Sequence, residues 1–529
     1  MTLITPPRRV ALLSLLAAAL GLAAGGAAWV LVHLIALITN LAFHHRAAWQ
    51  LPSFTHLHRG PGIVLVAAVG GLVVGLMARW APAIRGHGIP EAMEAVLIGD
   101  SRISPRTAVA KPLSAAIAIG TGGPFGAEGP IIVTGGALGS LLGQVLPVSP
   151  SERKILLACG AAGGMAATFG APLASVVLAI ELLLFEFSTR ALVPLLACTS
   201  VAGGMHAALF GSGPLFVVPP HHFSGLASLP YFVPLGLACG LLAVVIVRGL
   251  ALIEDAYRRL PISETWWPAI GGVGFGLVGV ALPRVLGVGY NQISAVLAGH
   301  LGLRLLALLA VAKLGAWWVA LASGTSGGTL APILLISGSF GAAAGQVMHR
   351  VAPGSHTSTT AFALVAMAAT FGAATRATLT AVVFVFELTH DYNAVLPLML
   401  TTVVATMVAV AMTPDSLLTE KLTRRGLRVP AGYHADALHT TAVGDVMQEV
   451  DGSSADALDG LDAVPSTETL IDVLRKMFDE DLERVAVVDG GHVVGVCSRG
   501  DIVHARRRQL DHERIEPGWR WRRGGTVRT

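Results

Sequence analysis

Met165-Ala-Ala-Thr-Phe-Gly-Ala171 recurs residue for residue as Met367-Ala-Ala-Thr-Phe-Gly-Ala373, an offset of 202 (367 − 165). Other matches share it: Pro130-Ile131 with Pro332-Ile333, Lys111 with Lys313, and Gly139, Gly143 and Gln144 with Gly341, Gly345 and Gln346. After the heptad the register slips by four, so that Glu181 faces Glu387. Chance likeness among Ala/Gly-rich helices is the alternative; an identical heptad plus scattered matches at one spacing argues against it. Two related halves with a binding site between them are a recurrent transporter construction. The spacing leaves open whether the halves run parallel or inverted.

Around the repeat the solvent is lipid. Of 529 residues, 53% are hydrophobic and 13% charged, against roughly 25% charged in soluble proteins. So few charges cannot solvate a globule of this size, which excludes a soluble enzyme, a disordered chain and a fibrous repeat. Residues 10–38 are long enough to span a bilayer and too long for a signal-peptide core. Further apolar segments lie at about 62–84, 107–121, 131–147, 154–187, 190–211, 229–253, 267–288, 301–323, 329–349, 360–388 and 393–413. Four scattered cysteines form neither a disulfide framework nor a metal spacing.

Residues 1–414 are therefore expected to form a polytopic all-α membrane domain with an internal repeat of interrupted helices, its halves at about 62–212 and 267–413. A basic juxtamembrane linker follows at 415–436 and, with Arg8-Arg9, predicts both termini on the cytoplasmic face of a bacterial-type inner membrane. Residues 437–507 read as a small α/β unit, with a helix over 467–478 and strands over 484–488 and 493–496. Residues 508–529 read as a basic, disordered tail.

Chemistry gathers at Gly-flanked turns: Arg85-Gly-His-Gly-Ile-Pro90, Gly123-Pro-Phe-Gly-Ala-Glu-Gly-Pro130 and Ser326-Gly-Gly-Thr-Leu-Ala-Pro332. Glycine allows a sharp turn, and proline in a first helical turn sacrifices no hydrogen bond. What remains is free N–H groups at the positive end of a helix dipole, an anion site built without a full charge.

These turns resemble the three signature segments of the CLC chloride channel and transporter family, carried here by residues 86–90, 126–130 and 328–332. Arg376-Ala-Thr-Leu-Thr-Ala381 and Phe386-Glu-Leu-Thr389 resemble a further family stretch. The resemblance covers about residues 10–425. It implies an inverted-repeat homodimer in a lipid bilayer with one chloride pathway per subunit, Glu128 as the gate, and no cofactor or nucleic-acid partner. It places the anion against His87, Gly88, Ile89, Ala127, Gly129, Thr329, Leu330 and Leu418. Residues 437–507 resemble a CBS-domain unit, in which Ser498 and Asp501 fall where nucleotide-binding members contact ribose. With a single such motif present, a structural dimerisation cap is expected in preference to an adenine-nucleotide site.

Three departures from the family pattern carry weight. His87 stands for a serine, Leu418 for a tyrosine, and Leu182 for the inner proton-relay glutamate, with Glu181 beside it. Leucine cannot carry a proton, so channel-like or weakly proton-coupled chloride flux is expected over stoichiometric proton/chloride antiport, with Glu181 or water as the substitute carrier should coupling occur. At His87, imidazole either donates to the anion, titrating near neutral pH, or turns away to cap a carbonyl.

Gly324-Thr-Ser-Gly-Gly328 also satisfies a serine-hydrolase pattern at Ser326, a remote alternative lacking a preceding strand or a facing base. His44-His45 and His221-His222 read as loop neighbours without metal geometry. Of the apolar-embedded charges, Arg376 and Glu387 are expected to pair with each other.

Overall fold

The computed structural model describes residues 7–219, 228–352, 358–425, 427, 438, 441–449, 461–490 and 492–512. His221-His222 and most of the linker and tail lie outside them, and His44 closes the first helix. Among the described residues, seven helices are long and apolar enough to cross a membrane: 8–44, 61–80, 189–209, 229–258, 303–322, 330–351 and 392–412.

The repeat is a repeat of helices. Helices Pro61–Trp80, Ile89–Leu97, Pro105–Gly120, Glu128–Val145, Pro150–Phe169 and Pro172–Ala179 are followed in the same order by Trp267–Ala281, Tyr290–Leu297, Leu303–Ala322, Leu330–Val351, Thr359–Thr375 and Thr378–Thr389. The halves also extend further than their expected bounds. Helix Pro7–His44 packs on Pro150–Phe169 and Thr189–Leu209 as Leu229–Arg258 packs on Thr359–Thr375 and Val395–Met412. Small residues make both contacts. Gly21 and Gly25 sit against Cys198 and Met205, while Gly236 and Gly240 sit against Thr401, Val404 and Val408, the spacing that lets helix backbones approach within lipid.

Two expected apolar segments, 154–187 and 360–388, are each broken in two. Gly170 (φ 64°) ends one helix and Pro172 starts the next. Proline lacks an N–H and disfavours helical backbone before it, so a continuous helix cannot form there. In the second half, Arg376 takes the left-handed position (φ 63°). The four-residue slip falls at this break, where Thr359–Thr375 runs further before its cap.

The short helices after these breaks reveal the orientation of the halves. Glu181, beyond the end of Pro172–Ala179, accepts from Leu379 N (3.2 Å), Thr380 N (3.0 Å) and Thr380 Oγ1 (2.6 Å) at the start of Thr378–Thr389. Glu387, near the end of that helix, accepts from Leu173 N (3.0 Å) and Ala174 N (2.7 Å). Each carboxylate satisfies the orphan N–H groups of its repeat partner, so the two helices are antiparallel and the repeat is inverted. The expected Arg376–Glu387 ion pair is not formed: Arg376 Nη2 instead donates to Thr413 O at 2.6 Å.

The C-terminal unit forms a separate apolar core around Val464, Val473, Val485 and Cys497. Its strands β1 (Gln448–Glu449), β2 (Ala463–Pro465), β3 (Arg484–Asp489) and β4 (His492–Ser498) lie in the order β1-β4-β3-β2. The helix from Arg499 runs to His512, past the expected boundary at 507.

Truncating Glu181 or Glu387 to alanine orphans at least two N–H groups and should lower stability by about 1–3 kcal/mol, read as a lower unfolding midpoint in detergent. A Glu181→Gln protein with an unchanged midpoint but altered proton flux would place Glu181 in a transport path instead.

Candidate functional site

Repeat-related residues meet each other at the centre. Gly126 N donates to Gly328 O (3.2 Å) and Gly328 N to Gly126 O (2.8 Å), a two-residue antiparallel bridge across the pseudo-twofold axis. Gly86 bridges Ser326 in the same cluster. Gly88 has φ 99°, and a Cβ there would fall on the Gly129 backbone; a Cβ on Gly129 would fall on His87 O. Backbone therefore touches backbone, which only glycine permits here.

Two further devices hold these turns. Lys111 Nζ donates to Ile84 O (2.8 Å) and Gly86 O (2.9 Å), and Lys313 Nζ donates to Val285 O (2.9 Å) and Gly287 O (2.8 Å). Both lysines are fully buried. Their matching bonds disclose a fourth turn, Gly287-Val-Gly-Tyr290, the partner of Gly86-His-Gly-Ile89. The sequence signal was the Gly-x-Gly at an offset of 201 (287 − 86).

Glu128 is fully buried, and its Oε1 accepts from Ala331 N at 2.8 Å. The carboxylate thus sits on the N-terminus of Leu330–Val351, where that helix end would hold an anion. The equivalent position in the other half is Leu330, so the pair of helix ends carries one carboxylate. Ala127, Gly129, Thr329 and Leu330 are buried around it.

The first signature turn differs from expectation. Gly88 N is not vacant: it donates to Glu91 Oε2 at 2.7 Å, while Lys421 Nζ donates to Glu91 Oε1 at 3.0 Å. Ile89 is buried, and His87 is 5% exposed. The His87 ring caps no carbonyl; its Nδ1 is buried without a partner. His87 lines a cavity of about 730 Å³, together with Arg85, Glu91, Glu254, Lys421 and Arg425. Leu418 is fully buried in the apolar core, and Leu182 lies buried in a π-helical turn, Ile180–Leu184.

Sequence reading missed two residues as pathway candidates. Ser326 Oγ, Tyr290 Oη, His87 Nδ1 and Glu128 Oε2 are all buried without a hydrogen-bond partner. Tyr290 and Lys313 are close enough to interact with the Glu128 charge. Unspent polar atoms near this junction fit a path that exchanges its occupants. The hydrolase alternative loses its footing, because Ser326 follows a helix, Leu303–Ala322, and its hydroxyl has no base bonded to it.

The model of the voltage gated chloride channel family matches residues 67–410. The chain belongs to that family. Similar members include a putative ClcB-like chloride channel protein of Ralstonia nicotianae, 32% identical over 379 residues, 69% of this chain and 87% of that protein. An H(+)/Cl(-) exchange transporter ClcA of Vibrio campbellii is 30% identical over 358 residues, 66% of this chain and 76% of that one. The structure of a slow cyanobacterial Cl-/H+ antiporter superposes with a TM-score of 0.69 at 25% identity, covering 80% of this chain and 98% of its own. A eukaryotic CLC transporter shares the fold at 18% identity, with a TM-score of 0.66 over 93% of this chain and 98% of its own. Residues 454–508 match the CBS domain model.

In the CBS unit, Ser498 and Asp501 spend their groups on each other. Ser498 Oγ and N donate to Asp501 Oδ2 at 2.6 and 2.9 Å, and Gln448 Nε2 donates to Oδ1 at 3.0 Å. Burial would raise the Asp501 carboxyl, but these bonds outweigh it and hold it below its ordinary value.

Gly88→Ala and Gly129→Ala should each cost more than about 3 kcal/mol, since backbone cannot yield as a side chain can, and should abolish the monodisperse peak on gel filtration. Gly204→Ala, with nothing within 4 Å of its Cβ, should be neutral or slightly stabilising.

Proposed function

We propose that this chain exchanges chloride for protons across a lipid bilayer, with Glu128 as the moving gate. The observation that carries this is the Glu128 carboxylate on Ala331 N, at 2.8 Å in a fully buried site. An ionised carboxylate and a chloride compete for the same helix-end N–H groups. Protonation removes the negative charge, weakens the bond to Ala331 N and frees the site for the anion. The same side chain then delivers its proton on leaving, so anion entry and proton movement share one group.

Exchange replaces the channel-like flux expected from Leu182. The Vibrio relatives are named H(+)/Cl(-) exchange transporters, and the cyanobacterial neighbour is a Cl-/H+ antiporter. The functional unit is a homodimer with a pathway in each subunit, seated in a bacterial cell membrane. Both termini face the cytoplasm, a reading supported by Arg8-Arg9 and the basic run Lys421, Arg424 and Arg425. The CBS unit acts as a structural cap and not as an adenine-nucleotide site, in keeping with the Ser498–Asp501 bonds.

Proteoliposomes recorded for chloride and protons together test this. The parent protein should drive protons uphill on a chloride gradient. Glu128→Gln should retain or raise anion flux, lose most of its pH dependence, and move protons at less than about a tenth of the parent rate. Chloride flux and pH profile unchanged in Glu128→Gln would locate the gate elsewhere.

A further inference from the structure

Glu128 is fully buried, so a proton bound for it from the side of the C-terminal unit must be handed on by something. The 730 Å³ cavity, lined in part by Lys421 and Arg425 from the segment that leads to that unit, is large enough to hold many waters. Among the residues that line it is His87, and three protonatable side chains act on that ring, so that four gather there: His87, Glu91, Lys421 and Lys111. Three are committed. Glu91 has one oxygen on Gly88 N and the other on Lys421 Nζ. Lys421 is spent on Glu91, and Lys111 donates to the carbonyls of Ile84 and Gly86. Leu182, where the family resemblance would place an acid, has no proton to give.

His87 is the exception. Its Nδ1 is buried and makes no hydrogen bond, while the ring lines the cavity. It is also next to the gate, since its backbone carbonyl packs on Gly129, the residue after Glu128. Imidazole accepts a proton on one nitrogen and releases one from the other, which suits a group set between water and a carboxylate.

We propose that His87 is the proton-transfer residue on the C-terminal side of the pathway, passing protons from cavity water to Glu128. The assignment rests on the exchange proposed above. In the forward step, cavity water gives a proton to the neutral ring. The imidazolium then gives one to the Glu128 carboxylate through water in the pathway, and the ring returns to neutral. One proton moves and no electrons do.

Three charged groups face the ring. Glu91, in the first turn of the helix that follows, favours the imidazolium; Lys421 from Glu420–Thr423 and Lys111 from Pro105–Gly120 oppose it. A relay needs the imidazolium only in passing, between taking a proton from cavity water and giving it up toward Glu128. Lys421→Gln removes one opposing cation and should shift the pH dependence of proton flux upward.

The test is the proton-to-chloride flux ratio in proteoliposomes of the full chain. His87→Asn and His87→Ser keep a hydrogen-bond donor but cannot relay; their ratio should fall about tenfold or more. His87→Ala should lose proton flux likewise and regain it when 4-methylimidazole is added on the C-terminal side, a rescue that a merely structural histidine would not show. A parent protein that exchanges, with all three variants keeping its ratio, would overturn the assignment and leave exchange standing. A parent that moves chloride without protons would overturn both.

Discussion

The two hydrogen bonds joining Gly126 to Gly328 are the constraint on which the pathway depends. They link a residue to its own repeat equivalent, so the pseudo-twofold axis runs between them and the two helix N-termini beyond must face across it. Glycine is required: a Cβ on Gly328 would meet the Glu128 carboxyl at 2.7 Å and Gly126 O at 2.8 Å. Once the backbones are this close, a group held by one helix end lies beside the other. Symmetry is then broken by a single pair, Glu128 against Leu330. One half supplies the carboxylate and the other half supplies the N–H that binds it.

The inverted arrangement is held at its periphery by the same chemistry. Glu181 and Glu387 each reach past the end of their own helix to the start of the partner's, where free N–H groups and the dipole favour a carboxylate. A charge in lipid surroundings costs several kcal/mol unless compensated, and charge-assisted bonds to backbone N–H supply that compensation. The role leaves Glu181 little scope as a substitute proton carrier, because its oxygens are engaged with Leu379 and Thr380.

Much of this is legible in the amino-acid sequence. The repeated heptad gave the halves, and Gly-Ala-Glu-Gly-Pro marked Glu128 as a carboxylate at a helix start. The hidden parts were contacts far apart along the chain. Nothing local in Glu181 points to Thr380, or in Glu387 to Ala174. The turn at 287–290 escaped because it carries Asn291 where the first half has Pro90, and because its offset is 201 and not 202. The engagement of Gly88 N by Glu91 was within reach, since an acid three residues after a helix cap commonly folds back on it. Reading the N–H as free ignored that local competitor. The breaks near Gly170 and Arg376 were missed because hydropathy runs straight through them, while backbone geometry does not.

Equivalent turns end in unequal surroundings, and this bears on how the path can change access. Gly86-His-Gly-Ile89 faces the charged cavity of about 730 Å³, whereas Gly287-Val-Gly-Tyr290 borders one of about 30 Å³ with Phe54 packed over Gly287. Rocking one half against the other would break the Gly126–Gly328 pair and both carboxylate caps together. At about 1 kcal/mol for each neutral bond and more for those to a charge, that is a large concerted loss. Displacing Glu128 gives up only its bonds to backbone N–H groups at the helix ends, the one to Ala331 N at 2.8 Å among them. The architecture therefore favours a rigid pair of halves with a side chain moving between them. In the proposed exchange, the cost of burying its charge is what would tie that motion to a proton.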